Sequence, residues 1–268
     1  MNRIFKLATF FNMNISFRKK NGDDSLGIEF FWMLAIETET ARDISDYFIP
    51  ELFFDFFFVK SGKMTCIDRA REMEFSSPAQ ALKTIYTRPL SLIFSAPLVL
   101  FGARLSLGFA ESFWRTDGNP NLFLAENWVE PDTNNIDSFA AQVKEYIQKH
   151  QARKLPYRLL LPTLEESGWL VNFSARHKRR LYQTTFGLSR KEIQNIHNIQ
   201  LFLAQACDFS LQNPRIIRHV NPDVFYDQPH LNRTFKKITG LSPVEYFEAN
   251  SILQSNLMSA SYNDISDV

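Results

Sequence analysis

The sequence predicts an α+β protein, with an antiparallel β-rich half followed by an all-helical half that carries one short pattern twice. Three observations predict it. Apolar residues between Gly27 and Ala110 fall in short runs rich in Phe, Ile and Val, the pattern of strands. The polar segment Gln151–Pro156 (QARKLP) divides these runs from a region of helical spacing. Within that region HKRRLYQTTFGLSRKEI (His177–Ile193) returns 53 residues later as HLNRTFKKITGLSPVEY (His230–Tyr246), which marks a duplicated supersecondary unit.

A chain of 268 residues has length for two domains, each able to bury its own core. The divider places them at residues 1–150 and 156–260. In the first, IEFFWMLAI, ELFFDFFFV and MTCI read as strands, with Ser61-Gly62-Lys63 as a turn. The 26 Phe fit dense packing of such strands. Pro89–Ala110 (PLSLIFSAPLVLFGARLSLGFA) is apolar, yet Pro97, Gly102 and Arg104 break it below the length of a bilayer span. Buried strands are therefore predicted, and no membrane. In IDSFAAQVKEYIQKH the apolar residues Ile136, Phe139, Val143 and Ile147 recur every three or four positions, so a helix closes this half. The tail SASYNDISDV is expected to fray.

Asp55 interrupts the run FFDFFF. In a strand it shares a face with Phe53 and Phe57. It is either an edge or surface residue, the more ordinary case, or a buried carboxylate paired with a cation such as Arg104. In the second case Asp55 and Arg104 are candidate effector-binding residues.

Several function classes find no support. All five His lie at or beyond His150, so the β-rich half lacks the ligands of a metal-binding barrel enzyme. The two cysteines, Cys66 and Cys207, have no metal-ligand spacing, and Cys66 has no histidine in its own half. None of the nine glycines forms a phosphate-binding or dinucleotide-binding pattern. No cofactor and no enzymatic activity are predicted. The opening MNRIFKLATFFNMNISFRKK sets cations before an apolar run, but Asn12 and Asn14 interrupt it and no small-residue cleavage site follows. The cytoplasm is expected.

Charge separates the halves. Residues 1–150 hold 16 Lys/Arg against 19 Asp/Glu, whereas residues 151–240 hold 14 against 6. A basic segment joined to a mildly acidic one suits a polyanion that meets one half only.

Each copy of the repeat has a physical grammar. Aligned on Gly187 and Gly240, the copies share His177/His230, Arg180/Arg233, Leu188/Leu241, Ser189/Ser242 and Glu192/Glu245. The glycine ends one helix in the left-handed conformation, the serine caps the next, and the glutamate completes a capping box. Each cap contributes about 1 kcal/mol. In the second copy Pro243 takes the first helical position, and Arg190 stands there in the first. Leu231, Phe235 and Ile238 form an inward face, which leaves Gln228, Asn232, Arg233, Lys236 and Lys237 outward. In the first copy Leu181 and Tyr182 turn inward and Arg176, Arg179 and Arg180 outward. Ser174 and Asp227 sit where N-caps belong. Arg pairs with guanine edges and Asn or Gln with adenine, so such helices suit a major groove. Ile193, Ile196, Ile199 and Leu203 form a stripe that predicts one helix between the copies. It would set two recognition helices about one DNA turn, ~34 Å, apart.

The stretch FYDQPHLNRTFKKITGLSPVEYF (Phe225–Phe247) resembles the second helix-turn-helix of the AraC/XylS family of bacterial transcription regulators. LEESGWLVNFSARHKRRLYQTTFGLSRKEI (Leu164–Ile193) resembles the first. The resemblance implies an all-α tandem helix-turn-helix domain behind a barrel or cupin-like regulatory domain. It implies double-stranded DNA as partner, read by Arg176, Arg179 and Arg180 in one unit and Gln228, His230, Asn232 and Arg233 in the other. A small-molecule effector, RNA polymerase and a second copy of the chain are further candidate partners. IPELFFDFFFVKSGK followed by LVLFGARLSLGFAESFW is similar to a β-rich domain found ahead of some such units, where a strand precedes a G-x-R-F-x-P-G-like turn. Gly102, Arg104 and Gly108 match part of it. Three positions depart from the helix-turn-helix pattern. Lys178 replaces a buried aliphatic residue, Val224 a glycine, and Pro222 falls inside a helix, where proline costs ~3 kcal/mol. A loose first core and weak or ligand-dependent DNA binding are the expected consequences. The alternative is a relative that keeps the helices but acts through a partner protein.

Overall fold

The computed structural model describes residues 13–68, 71–112, 123–125, 127–150, 158–161, 164–206 and 228–248, together with Leu253, Leu257 and Ser261. Strands β1 (Met13–Asp23), β2 (Ile28–Thr38), β3 (Arg42–Phe48), β4 (Phe54–Asp68), β5 (Arg71–Ser76), β6 (Ala79–Lys83) and β7 (Leu90–Leu105) lead to helix α1 (Leu107–Ser112). Strand β8 (Phe123–Ala125) and helix α2 (Ile136–His150) complete the first half. Helices α3 (Ala175–Phe186), α4 (Arg190–Ala206), α5 (Gln228–Thr239) and α6 (Pro243–Glu248) follow. None of the described helices is long and apolar enough to cross a membrane.

Every strand pair is antiparallel. The sheet runs in the order β1-β2-β7-β4-β6-β8, with β3 paired to β7 and β5 to β4. Its spine is the pair β4 and β7, long strands that lie side by side from Phe54↔Leu105 to Ile67↔Ser91. On the outer side of β7, β2 covers residues from Leu98 onward and β3 covers Leu90–Ala96. On the outer side of β4, β6 covers Asp55–Val59 and β5 covers Lys63–Asp68. The spine changes partners on both sides near one level.

That level is where Ser61-Gly62-Lys63 lies, and it corrects the predicted turn. The segment stays inside β4 as a bulge, with register shifts on either side of Ser61. Gly62 has φ +82°, and a Cβ there would meet the Pro97 carbonyl at 2.5 Å. A bulge with a left-handed glycine bends a strand without ending it. The expected turn around Gly102, Arg104 and Gly108 is confined to the strand-to-helix step at Ser106, whose carbonyl accepts from the Phe109 amide. Gly102 and Arg104 lie within β7 and Gly108 within α1.

Period-two alternation puts β4 side chains on two faces, and both are buried. Phe54, Phe56 and Phe58 join Phe31, Phe101 and the α2 residues Phe139, Val143 and Ile147 in one core. Trp128 stacks on Phe56 with ring centroids 4.3 Å apart. α2 has the predicted bounds. Asn135 caps it by accepting from the Asp137 and Ser138 amides, while Asp137 and Lys149 suit the two ends of the helix dipole. The opposite face gathers Trp32, Phe57, Met64 and Phe94 with Leu253 and Leu257 from the chain's C-terminal region. The predicted fraying tail includes Ser261, which is helical and accepts a hydrogen bond from Arg104 at 3.1 Å.

Gly102 carries the Trp32 indole directly against its backbone, so an added Cβ would lie 2.1 Å from the ring. Gly102→Ala is expected to destabilise the fold by about 1–3 kcal/mol through overpacking. Thermal unfolding measures it, and an unchanged Tm would show that the indole can move aside.

Candidate functional site

Both copies of the repeat fold with the same local chemistry. Gly187 (φ +74°) and Gly240 (φ +78°) end α3 and α5 in the left-handed region. Their amides donate to the carbonyls of Gln183 and Lys236. Ser189 N–H donates to Glu192 Oε2 at 2.8 Å, and Glu192 N–H to Ser189 Oγ at 3.3 Å. Ser242 and Glu245 repeat the exchange at 2.6 and 3.3 Å. Hydrogen bonding from Ser242, its backbone amide first, holds the Glu245 carboxyl below the usual carboxylate range. Ser174 caps α3 by accepting from the His177 amide. Asp227, the other predicted cap, lies outside the described residues, as do Pro222 and Val224.

The faces separate as the spacing requires. Leu231, Phe235 and Ile238 of α5 are buried, while Gln228, His230, Asn232, Arg233, Lys236 and Lys237 are exposed. In α3, Tyr182 and Phe186 are buried, Leu181 is half-buried, and Arg176, Arg179 and Arg180 are exposed. Arg180 donates to His177 Nδ1 at 3.2 Å, and the His177 ring stacks on Phe173. The stripe Ile193, Ile196, Ile199 and Leu203 is fully buried along α4, which at 17 residues is about 25 Å long.

Two features of the first unit were not legible in its sequence. Lys178 does not loosen the core, because its ammonium pairs with Glu166 at 2.8 Å and Glu166 also accepts from the Tyr182 hydroxyl. Ahead of α3 stands only a five-residue 3₁₀ helix, Gly168–Asn172. The antiparallel bridge Leu160↔Glu166 pins the chain just before it.

The β half touches the second unit at its turn. Tyr47 of β3 donates its hydroxyl to the Thr239 carbonyl. A side chain at Gly240 would meet the Tyr47 oxygen at 2.9 Å and Pro89 at 3.2 Å, so Gly240 is needed both for its dihedral and for this contact. Beyond α6, Asp46 Oδ2 accepts from the Leu253 amide at 2.6 Å.

The same sheet carries a row of buried charge. Lys83, Asp55 and Arg104 are register partners on β6, β4 and β7. Arg104 Nε donates to Asp55 Oδ1 at 3.0 Å. Lys83 Nζ lies 2.8 Å from Asp55 Oδ2, as an ion pair and not a directed hydrogen bond. The two terminal nitrogens of Arg104 face both carboxylate oxygens of Glu51, and its guanidinium lies over the Phe53 ring. Asp55 is 3% exposed and Arg104 0%. The surface reading of Asp55 is thereby corrected. Burial pushes the Asp55 carboxyl upward, but Arg104 and Lys83 outweigh it and hold it below the usual carboxylate range. Asp55 and Arg104, the residues expected to bind an effector, are thus both engaged in ion pairs, and the cavity beside Asp55, lined by Leu253 and Leu257 among others, measures about 20 Å³, room for a water.

Cys66 is buried in the same core, and burial pushes its thiol up to about 12, so it stays protonated and packs as an apolar group.

No family model matches the chain, and no curated protein matches it. Among solved structures, ToxT from Vibrio cholerae is 12% identical, covering 78% of this chain and 98% of that one with a TM-score of 0.36. A lysine-to-alanine variant of apo ToxT from V. cholerae strain SCE256 is 11% identical, covering 91% and 99% with a TM-score of 0.37. An HTH_3 family transcriptional regulator from V. cholerae is 11% identical over 35% of this chain, which spans about half (51%) of that regulator's length, with a TM-score of 0.28. The functional reading rests on the residues themselves.

Asp55→Ala leaves two buried cations short of a partner, and is expected to cost about 3–5 kcal/mol in urea unfolding. Because its folded pKa is depressed, the stabilisation from Asp55 is complete above the ordinary carboxylate value of about 4 and fades as pH falls below it. A variant that matches the parent at pH 7 would contradict the paired geometry.

Proposed function

We propose that the chain is a sequence-specific DNA-binding transcriptional regulator of AraC/XylS type, without catalytic activity. One observation carries the reading: two copies of a helix–glycine–helix unit expose guanidinium and amide groups from helices whose opposite faces are locked in a core. Neither α3 nor α5 has an acidic residue in its first turn, and α3 sets Arg176, His177 and Lys178 there. Cations at the positive end of a helix dipole cost stability. The same end, with its free amides, suits phosphate. A polyanion would turn this cost into binding.

In this reading Arg233 and Asn232 of α5, with Gln228, reach base edges, and Lys236 and Lys237 face phosphates. Arg176, Arg179 and Arg180 do the same work from α3, and α4 keeps the two helices at a fixed separation. The contact of Tyr47 with the turn after α5 gives the β half its route to the second unit, through which a small-molecule effector would act.

Fluorescence anisotropy against duplex DNA at two salt concentrations tests the proposal. Affinity should fall steeply with salt as released counterions are replaced. Binding without salt dependence, or none, would favour action through a partner protein. Arg233→Ala should cost ~1–3 kcal/mol on the preferred sequence and relax selectivity at one base position. Equal losses on all sequences would reassign Arg233 to a phosphate.

A further inference from the structure

A cavity of about 620 Å³ opens where the β half meets α4, its wall including Phe53, over whose ring the Arg104 guanidinium lies. Its walls come from the 3₁₀ turn Asp24–Leu26 and the start of β2, the chain before β4, α1, residues 158–161 with Leu164, and α4. That volume falls within the range of small-molecule sites, about 300–1,000 Å³. Leu52, Leu107, Leu160 and Leu201 make most of the wall apolar.

The polar groups on the wall are incompletely satisfied. Glu111 is 4% exposed, and its Oε1 accepts from both the Leu159 and Leu160 amides. Its Oε2 has no hydrogen-bond partner among the described residues. Gln200 of α4 is 7% exposed, lines the cavity, and its amide has no hydrogen-bond partner among the described residues. Both groups keep hydrogen-bonding capacity toward the cavity, so this pair offers a ligand a donor and acceptors. The wall's charge sets its sign. Asp24, Glu29 and Glu111 line it with one arginine, Arg158, and Glu29 also feels Arg104 and Lys19 from behind the wall. His197 is neutral at physiological pH, since burial and then Arg190 lower its pKa. Burial pushes the Glu29 and Glu111 carboxyls upward and outweighs the cations near them.

We propose that this cavity is a binding site for an organic amine in its protonated form, its apolar body against the leucines and its ammonium between Glu29 and Glu111. Gln200 completes the hydrogen bonding. The site joins the β half to α4, whose Phe202 packs on Phe235 of the second copy, so occupancy would set how the second copy is held. That regulatory consequence rests on the DNA-binding reading; the binding itself does not.

The test is calorimetric titration of the full chain, without DNA, with decylamine, decanol and decanoate below their micelle concentrations. Decylamine should bind one to one, about ten-fold or more tighter than decanol, as a hydrogen-bonded charge allows, and decanoate should bind weakest. Glu29→Gln, whose carboxylate makes no hydrogen bond among the described residues, should erase the preference of decylamine over decanol. Ala204→Trp, which fills the cavity from α4, should abolish binding in a chain shown to be folded by circular dichroism. Absence of decylamine binding, equal binding of decanoate, or binding untouched by Ala204→Trp would overturn the site. Anisotropy with DNA separates the two readings. A chain that binds decylamine but no DNA keeps the site and loses the regulator; one that binds DNA but no decylamine does the reverse.

Discussion

The row Lys83, Asp55, Arg104 and Glu51 constrains the rest of the molecule. Four buried charges of balanced sign are tolerable only while each keeps its partner, because an unpaired ion in a low-dielectric interior is far costlier than the pair is favourable. The pairing holds only in the observed register, with Asp55 opposite both Lys83 and Arg104. A slip of one residue would turn Asp55 to the Phe54 and Phe56 face. Register in turn fixes which phenylalanines meet α2 and which meet Leu253 and Leu257. Arg104 also reaches Ser261, so the row that aligns the sheet also secures the chain's C-terminal region.

The second unit is therefore held at its turn by Tyr47 on Thr239, and the chain beyond α6 is held by Asp46 on Leu253. Both residues sit on β3, which hangs on the first half of β7. Polar ties of this kind are directional, so they position α5 more sharply than apolar packing alone would. The first unit is held differently, through Glu166 and its bonds to Lys178 and Tyr182.

What the sequence disclosed follows from the range of each interaction. The caps at Ser189 and Ser242, the glycine stops, the α2 bounds and the isoleucine stripe of α4 are set by residues three or four apart, and all were legible. Ser61-Gly62-Lys63 has local turn chemistry, but pairing with a strand 30 residues and more along the chain made it a bulge. For Asp55 the sequence left a surface position and a buried pair with Arg104 both open, and Lys83 and Glu51 gave no signal because they meet the pair only through the sheet. Lys178 looked like a defect until Glu166 stood beside it. The large cavity had no signal at all, since its walls come from five separated segments and its polar groups matter only by their mutual placement.

Selection of binding sites from random duplex DNA tests the central claim most directly, since it asks whether two outward helical faces act as one reader. The account predicts two enriched blocks centred about one helical turn, 10–10.5 base pairs, apart on the same duplex. A single block, blocks at variable spacing, or no enrichment would contradict it.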